Sequence, residues 1–201
     1  MIAEAEAEAR RRSVMNARWE HLRAEELPAG LGRFRVATLA QSFHWLDRER
    51  VAATIHGMLE PAGGLVHISA YTRTGIDATS PQPHPQPPWH AITELVRHYL
   101  GSETRAGQGL RDAVLSDEDD IFRHRFVGPK VAKVADGRVL TRTTDQVVAA
   151  VYSVSSSAPH LFEDRLAAFE SELRRLLAKA SPSGVFSQQT GDTALGIWRP
   201  G

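Results

Sequence analysis

The sequence contains no cysteine among its 201 residues. This absence excludes a disulfide scaffold, a zinc site with cysteine ligands and a cysteine nucleophile. The chain also lacks an excess of one charge, since 24 Lys and Arg balance 24 Asp and Glu. Dedicated nucleic-acid binders carry a basic surplus, so the composition argues against a nucleic-acid partner.

Long hydrophobic runs are missing as well. The longest apolar stretches, such as residues 147–152, fall far short of the roughly 18 residues that a membrane span needs. The first residues carry Glu4, Glu6 and Glu8, whereas a secretory signal begins with basic residues and a mitochondrial presequence is poor in acids. We therefore expect a cytoplasmic protein with no membrane partner, built as one domain or two at most.

Several well-known motifs of nucleotide-binding and hydrolytic enzymes are absent. Gly30 and Gly32 lack the third glycine of the dinucleotide fingerprint, because residue 35 is an arginine. The sequence has no Walker A lysine loop, no His-Glu-x-x-His zinc motif and no Gly-x-Ser-x-Gly nucleophile elbow. An α/β hydrolase or a dehydrogenase is therefore a third alternative that these absences disfavour.

One stretch of the sequence predicts a β-α-β unit. Residues 34–40 form a buried strand, and Asp47 can cap a helix over residues 48–59 whose apolar side chains recur at helical spacing. Proline and glycines at 61–64 end that helix, and residues 65–69 form the next apolar strand. Such units build parallel sheets.

Other elements follow from local patterns. Further helices are predicted over residues 3–12, 89–100 and 161–179, and further strands over residues 17–22 and 193–198. Residues 126–141 alternate around Asp136-Gly137, which predicts a β-hairpin. Capping boxes begin at Ser116 and at Thr143. The helix over 161–179 has a predicted buried stripe made of Phe162, Leu166, Phe169, Leu173 and Leu176.

Five prolines lie within residues 79–88, at positions 81, 83, 85, 87 and 88. This density of proline excludes a helix and favours an extended loop. We interpret the wider region 72–109 either as a lid over a substrate site or as a surface insertion. His84 and His90 flank the prolines, but no third ligand stands at a fixed spacing, so we predict no metal site.

Three short motifs carry a family resemblance. They are the turn Ala24-Glu25-Glu26-Leu27-Pro28, the loop Gln41-Ser42-Phe43-His44-Trp45, and the turn Met58-Leu59-Glu60-Pro61-Ala62-Gly63-Gly64. Taken together, these three motifs make the sequence resemble the class I S-adenosylmethionine-dependent methyltransferases of the small-molecule kind, with a methyltransferase type 11 domain. Ala62 replaces the first glycine of the family's turn.

The resemblance implies an α/β fold with a Rossmann-like sheet, mostly parallel and with an antiparallel C-terminal edge, in a single domain over residues 1–201. It implies S-adenosylmethionine as cofactor and a small molecule as methyl acceptor. By position, the cofactor-binding residues would be Ala24, Glu25, Gln41, Ser42, Phe43 and Trp45, with Glu25 near the adenine.

His44 is the candidate catalytic residue. An imidazole titrates in the range that suits proton transfer, so His44 could take a proton from the acceptor. The alternative is that His44 and Trp45 only shape the wall of the pocket. We predict that His67, inside an apolar strand, is a core histidine with a satisfied hydrogen bond.

One departure from the family limits these expectations. The family's Gly-rich cofactor loop after the first strand, and its acid at the end of the second, are not found in this sequence. We expect a domain truncated at the N-terminus and lacking the first two strands, so that the strand at 34–40 has unpaired backbone groups. Two functions therefore stay open: a methyltransferase of weak or no activity, and a non-catalytic module that interacts or self-associates through an exposed sheet edge.

Overall fold

The computed structural model describes residues 2–70, 74–78, 80–101, 105–106, 109–110 and 118–201. The helices are α1 (Ile2–Arg11), α2 (Arg48–Met58), α3 (Trp89–Leu100), α4 (Glu118–Arg123), α5 (Thr144–Tyr152) and α6 (Leu166–Ala180). The strands are β1 (Phe34–Ala40), β2 (Leu59–Ser69), β3 (Arg105–Ala106), β4 (Gly109–Leu110), β5 (Phe126–Val134), β6 (Val139–Thr143), β7 (Val185–Gln189) and β8 (Thr193–Pro200). Within those residues, none of the helices has the length and apolar character that a membrane crossing requires.

The main sheet has four strands in the order β1-β2-β8-β5. β1 and β2 run parallel, with Leu39 opposite His67. β8 runs antiparallel to both of its neighbours, with Leu65 of β2 opposite Trp198. The prediction of a mostly parallel sheet is therefore wrong for the described strands, because β8 enters the sheet between β2 and β5 and runs against both, which leaves β1 and β2 as the one parallel pair among them. β8 also lies inside the sheet, and β5 forms the antiparallel edge.

The predicted β-α-β unit is confirmed as β1, α2 and β2. Asp47 caps α2, since its Oδ1 accepts a hydrogen bond from Arg50 N at 3.3 Å. β2 begins at Leu59, earlier than predicted, because residues 60–63 bulge against β1 before regular pairing resumes. Gly63 fits that bulge, since a Cβ there would lie 3.0 Å from the carbonyl oxygen of Arg35.

Buried side chains form two clusters. The first cluster lies between the main sheet, α2 and α4, and includes Leu39, Phe43, Val51, Ile55, Leu65, Phe122, Phe126 and Trp198. The second cluster joins α3, α5, α6 and β7, and includes Ile92, Val147, Val151, Phe162, Phe169, Leu173, Leu177 and Phe186. Each cluster buries aromatic rings, and these large apolar areas supply most of the stabilisation.

The long C-terminal helix is confirmed, but it begins later than predicted. Short 3-10 turns occupy residues 159–161 and 163–165, and α6 begins at Leu166. Phe162, Phe169 and Leu173 of the predicted stripe are fully buried, and their neighbours Leu166 and Leu176 are partly buried. The rings of Phe162 and Phe169 stack with centroids 4.1 Å apart, so the turn before α6 packs on the helix itself.

The predicted hairpin around Asp136-Gly137 is wrong, although both of its strands exist. β5 pairs with β8, whereas β6 pairs with β7 in a separate two-stranded sheet. The Asp-Gly signal specifies a turn, and Gly137 indeed has a φ of +72°. It does not specify the partner strand, and here β8 and β7 supply the partners. The strand predicted over residues 17–22 is also wrong, because that segment has no neighbouring strand.

The proline-rich segment is extended, as predicted, and lies against β7. Ser187 N donates to the carbonyl of Pro85 at 3.0 Å, and His84 N donates to Ser187 Oγ at 3.2 Å. Part of the 72–109 region, and the Ser116-Asp117 start of the predicted capping box, lie outside the described residues. The described part is attached to the sheet of β6 and β7, and its interpretation as a lid stays a prediction.

The turn between β5 and β6 has a measurable electrostatic signature. The Arg138 guanidinium, 2.6 Å from the carboxylate of Asp136, lowers the pKa of Asp136 from its ordinary 3.8 to about 2. Because that pKa is depressed in the folded chain, the stabilisation by this pair is present above about pH 4 and is lost as the pH falls towards 2.

We expect Arg138→Ala to raise the pKa of Asp136 towards 3.8, measured by NMR titration of the carboxyl carbon. Lys133→Ala, which removes a cation from β5, is the control, and an unmoved Asp136 titration in Arg138→Ala would contradict the assignment.

Candidate functional site

The candidate site lies at the carboxyl ends of the parallel strands β1 and β2. Open α/β sheets bind their ligands outside the carboxyl ends of such strands. Gln41 links the two ends, because its Nε2 donates to the carbonyl oxygen of Ala70 at 2.7 Å. Gln41 also has a φ of +53°, which is uncommon for a residue other than glycine and is found at functional sites and tight turns.

The loop after β1 is held by one buried aromatic ring. Phe43 has no exposed surface, and its ring stacks on Phe122 of α4 with centroids 4.5 Å apart. The next two residues, His44 and Trp45, continue the same 3-10 turn, and their rings lie 4.8 Å apart. Packing of Phe43 into the core therefore places His44 and Trp45 at the end of the strand.

A carboxylate joins two histidines beside this loop. Glu118, the first residue of α4, has its Oε2 3.1 Å from His67 Nε2 and its Oε1 3.8 Å from His44 Nδ1. The three side chains are only 15–22% exposed. His67 also makes edge contacts with the rings of Phe43 and Phe122. His67 therefore has a polar partner, as predicted, in Glu118. It is partly exposed beside the first core cluster and is not one of the buried core residues, so the prediction of a core position is wrong.

Sequence reasoning missed the position of Glu118, and no local signal could have revealed it. The sequence marked Glu118 only as part of a capping box at the start of a helix. Its contact with His67 joins residues that are distant in the chain, and such contacts depend on how α4 packs on the sheet. The packing in turn depends on Phe122, whose fully buried ring fixes α4 against Phe43.

The turn predicted to contact adenine is attached to the start of α2. Residues Ala24–Glu26 form a 3-10 turn, in which Ala24 packs against the first core cluster. Glu25 Oε1 accepts a hydrogen bond from Asp47 N at 3.1 Å, and Arg50 Nη2 donates to the carbonyl oxygen of Glu25 at 2.8 Å. The backbone N–H of Asp47 thereby lowers the pKa of Glu25 below its ordinary 4.5.

The residues assigned to S-adenosylmethionine fit that molecule in part. The turn with Glu25 and the loop with Trp45 both contact α2, so the two predicted segments lie near one another. A carboxylate has about four lone-pair positions, so Glu25 can accept a donor from adenine while it holds Asp47 N. Phe43 does not fit, because its ring is buried in the core. Its contribution is to hold the loop.

A cavity of about 670 Å³ lies apart from these residues, next to the segment that bridges Ile76 to Gln189 of β7. Its walls come from residues 74–77, from Gln86 and from α3, and its charged groups are Asp77, His90, Glu94 and Arg97. Across the described ranges, no three His, Asp or Glu side chains are grouped so that they could hold a metal ion.

Among known proteins, the chain is similar to several solved structures. No family model matches the chain, and no curated protein matches it. The YcgJ protein from Bacillus subtilis is 17% identical with a TM-score of 0.49, over 100% of this chain and 79% of that one. The [4+2]-cyclase SpnF is 14% identical with a TM-score of 0.46, over 99% of this chain and 62% of that one.

A methyltransferase is also among the similar structures. Coclaurine N-methyltransferase, bound to N-methylheliamine and SAH, is 14% identical with a TM-score of 0.42, over 98% of this chain and 55% of that one. This chain therefore spans less than two thirds of both the cyclase and the coclaurine enzyme. None of these likenesses assigns an activity to this chain.

The buried position of Phe43 predicts a large effect on stability. Replacing a fully buried phenylalanine with alanine costs about 3–5 kcal/mol, so we expect Phe43→Ala to lower the free energy of unfolding by that amount. The measurement is urea denaturation followed by fluorescence. Phe34→Ala, at a position that is 42% exposed, is the matched control and should lose much less. A Phe43→Ala variant as stable as the control would show that the ring is not a core residue.

Proposed function

We propose that this protein transfers a methyl group from S-adenosylmethionine to a small-molecule acceptor. One observation carries the proposal: the two motifs assigned to the cofactor, at Ala24–Glu26 and at residues 41–45, both contact α2. They are separate in sequence, and Asp47, which follows the second motif by two residues and caps α2, donates its N–H to Glu25 of the first. When separate motifs carry a family resemblance because they bind one cofactor, we expect them to lie close together in the fold.

On the cofactor side, the described residues would bind and orient. Glu25 would accept from the adenine, Trp45 would offer an aromatic wall, and Ala24, Gln41 and Ser42 would line the same region. S-adenosylmethionine, when bound, supplies a methyl group activated by a positively charged sulfur. Transfer of such a group depends chiefly on positioning, which is what a loop fixed by a buried ring can provide.

On the acceptor side, His44 would hold the proton that leaves the acceptor. An imidazole next to a carboxylate is suited to that task, because the carboxylate offsets the positive charge that the ring gains. The cavity lined by residues 74–77 and α3 would admit a small polar molecule.

Binding of S-adenosylhomocysteine tests the donor side. We expect the protein to bind it in the micromolar range by calorimetry, and we expect Glu25→Ala to weaken binding about tenfold, or 1.4 kcal/mol, because an adenine contact is lost. Glu20→Ala is the matched control, since the half-buried Glu20 is paired with Arg18. His44→Ala should bind the ligand as the wild type does. If the folded wild type does not bind S-adenosylhomocysteine, the proposal fails.

A non-catalytic role in association is the second candidate, and the edge of β1 favours it. β1 is hydrogen-bonded to β2 on one side, and no described strand pairs with its other edge. Phe34 and Val36 of β1 are 42% and 56% exposed. The opposite edge, β5, carries Pro129 and Lys130, residues that discourage pairing with another strand.

Self-association through β1 has a direct test. On this second candidate, we expect the wild type to form dimers in light scattering after size-exclusion chromatography. Val36→Lys would shift the protein to monomers, because a charge on the edge opposes pairing of two strands. Val131→Lys, at an exposed position on β5, is the matched control and should leave the dimer intact. A wild type that is monomeric at high concentration would exclude this second candidate.

A further inference from the structure

A single carboxylate faces two imidazole rings at the ends of β1 and β2. Each oxygen of Glu118 faces a different ring, Oε2 facing His67 at 3.1 Å and Oε1 facing His44 at 3.8 Å. Glu118 belongs to none of the three motifs that carry the family resemblance. Its place in the site therefore rests on the structure alone.

His67 fixes the orientation of this carboxylate. The His67 ring makes edge contacts with Phe43 at 6.2 Å and with Phe122 at 5.5 Å between centroids, so two core rings hold it. The Glu118 oxygen at 3.1 Å from His67 Nε2 is within hydrogen-bond distance. With one oxygen held by His67, the second oxygen lies 3.8 Å from His44 Nδ1, an ion-pair distance that is longer than a hydrogen bond.

The surroundings of this cluster strengthen the effect of its charge. The side chains of His44, His67 and Glu118 are 21%, 15% and 22% exposed, and partial burial makes an electrostatic interaction stronger than it is in water. The two acids that follow on α4, Asp119 and Asp120, both pair with Arg123. The strand beside His67 presents Gly196 opposite it, and Trp198 follows on the same face, so these two residues of β8 bring no charge.

We propose that Glu118 is the positioning residue of the methyl-transfer site, and that the acceptor is a hydroxyl group that must lose a proton. In a neutral imidazole one ring nitrogen carries the hydrogen and the other carries the lone pair. A hydrogen on His44 Nδ1, directed at Glu118, places the lone pair on Nε2. The acceptor oxygen would form a bond to the methyl carbon as the bond from that carbon to sulfur breaks, with S-adenosylhomocysteine as the leaving group. The acceptor proton would move to the lone pair of His44, the carboxylate would offset the charge of the imidazolium, and water would later take up the proton.

This assignment of the acceptor rests on the proposed function, but the coupling of the three side chains does not. A carboxylate acceptor is already ionised at neutral pH and needs no base. A hydroxyl group has to release its proton as the new bond forms, and a histidine held by a carboxylate serves that step. The cluster therefore favours an acceptor that must lose a proton, such as a hydroxyl group, over one that is already ionised.

The coupling is tested by NMR of the full chain without ligand. The ¹⁵N shifts of the imidazole nitrogens report which nitrogen carries the hydrogen. We expect the wild type to carry it on Nε2 of His67 and on Nδ1 of His44. In Glu118→Ala both rings should change to a mixture of the two forms. In Glu118→Gln one ring should change, because an amide has a single oxygen to accept with.

Asp120→Asn is the matched control for this measurement. It removes an equal charge from the same turn of α4, where Asp120 is paired with Arg123, and both histidines should keep the wild-type pattern. If the Glu118 variants fold and show the wild-type ring shifts, the positioning role is wrong. If Glu118→Ala does not fold, Glu118→Gln, which keeps the shape of the side chain, still decides the question.

The acceptor class is tested by methyl transfer from labelled S-adenosylmethionine to two probes, phenol and benzoate. We expect transfer to phenol, with kcat reduced about tenfold or more in Glu118→Gln and KM changed less than about threefold, because the substitution removes a charge without removing a binding surface. Glu118→Asp, which restores the charge, should recover part of kcat. Transfer to benzoate in preference to phenol, or an unchanged kcat in Glu118→Gln, would overturn the assignment.

Failure of the proposed function gives a different result from failure of this inference. A protein that does not bind S-adenosylhomocysteine, yet shows altered histidine shifts in Glu118→Gln, loses the methyl-transfer proposal and the hydroxyl assignment while the coupling stands. A protein that binds S-adenosylhomocysteine, yet shows unaltered shifts, keeps the first proposal and loses the role of Glu118. Binding of S-adenosylhomocysteine without transfer to either probe overturns the hydroxyl assignment.

Discussion

The stacking of Phe43 on Phe122 is the interaction on which the candidate site depends. The two rings lie 4.5 Å apart in the first core cluster and join the loop after β1 to α4. His44 follows Phe43 directly, and Glu118 lies one helical turn before Phe122, on the same face of α4. The apolar contact therefore brings the charged groups together, and the energy of burying two rings offsets the cost of partly burying a carboxylate beside them.

The sequence was sufficient to predict the parts of the fold that are encoded locally. The β-α-β unit follows from apolar runs, from the cap at Asp47 and from the turn that contains Gly63, and each of these signals spans only a few residues. The choice of the partner strand is not encoded locally. Asp136-Gly137 encodes a turn correctly, but the pairing of β5 with β8 depends on a strand about 60 residues further along the chain. The same holds for the mixed character of the sheet.

In the candidate site, too, some residues could be predicted from local sequence and others could not. Glu25 and the loop at residues 41–45 were predicted because they form contiguous motifs with a family resemblance, and the structure attaches both to α2. The pairing of His67 with Glu118 could not be predicted, because it arises from the docking of α4 on the sheet. Phe43 shows a further difference, since a residue within a functional motif can serve that motif from inside the core.

The bond between Gln41 and Ala70 has a consequence for how such a site could change over time. Gln41 Nε2 binds the main-chain oxygen of Ala70, and every amino acid carries that oxygen. A mutation of residue 70 can therefore change its side chain without breaking the link to the loop after β1. The end of β2 can vary in sequence while the two strand ends stay joined. This arrangement separates sequence variation at this end of the sheet from the maintenance of the scaffold.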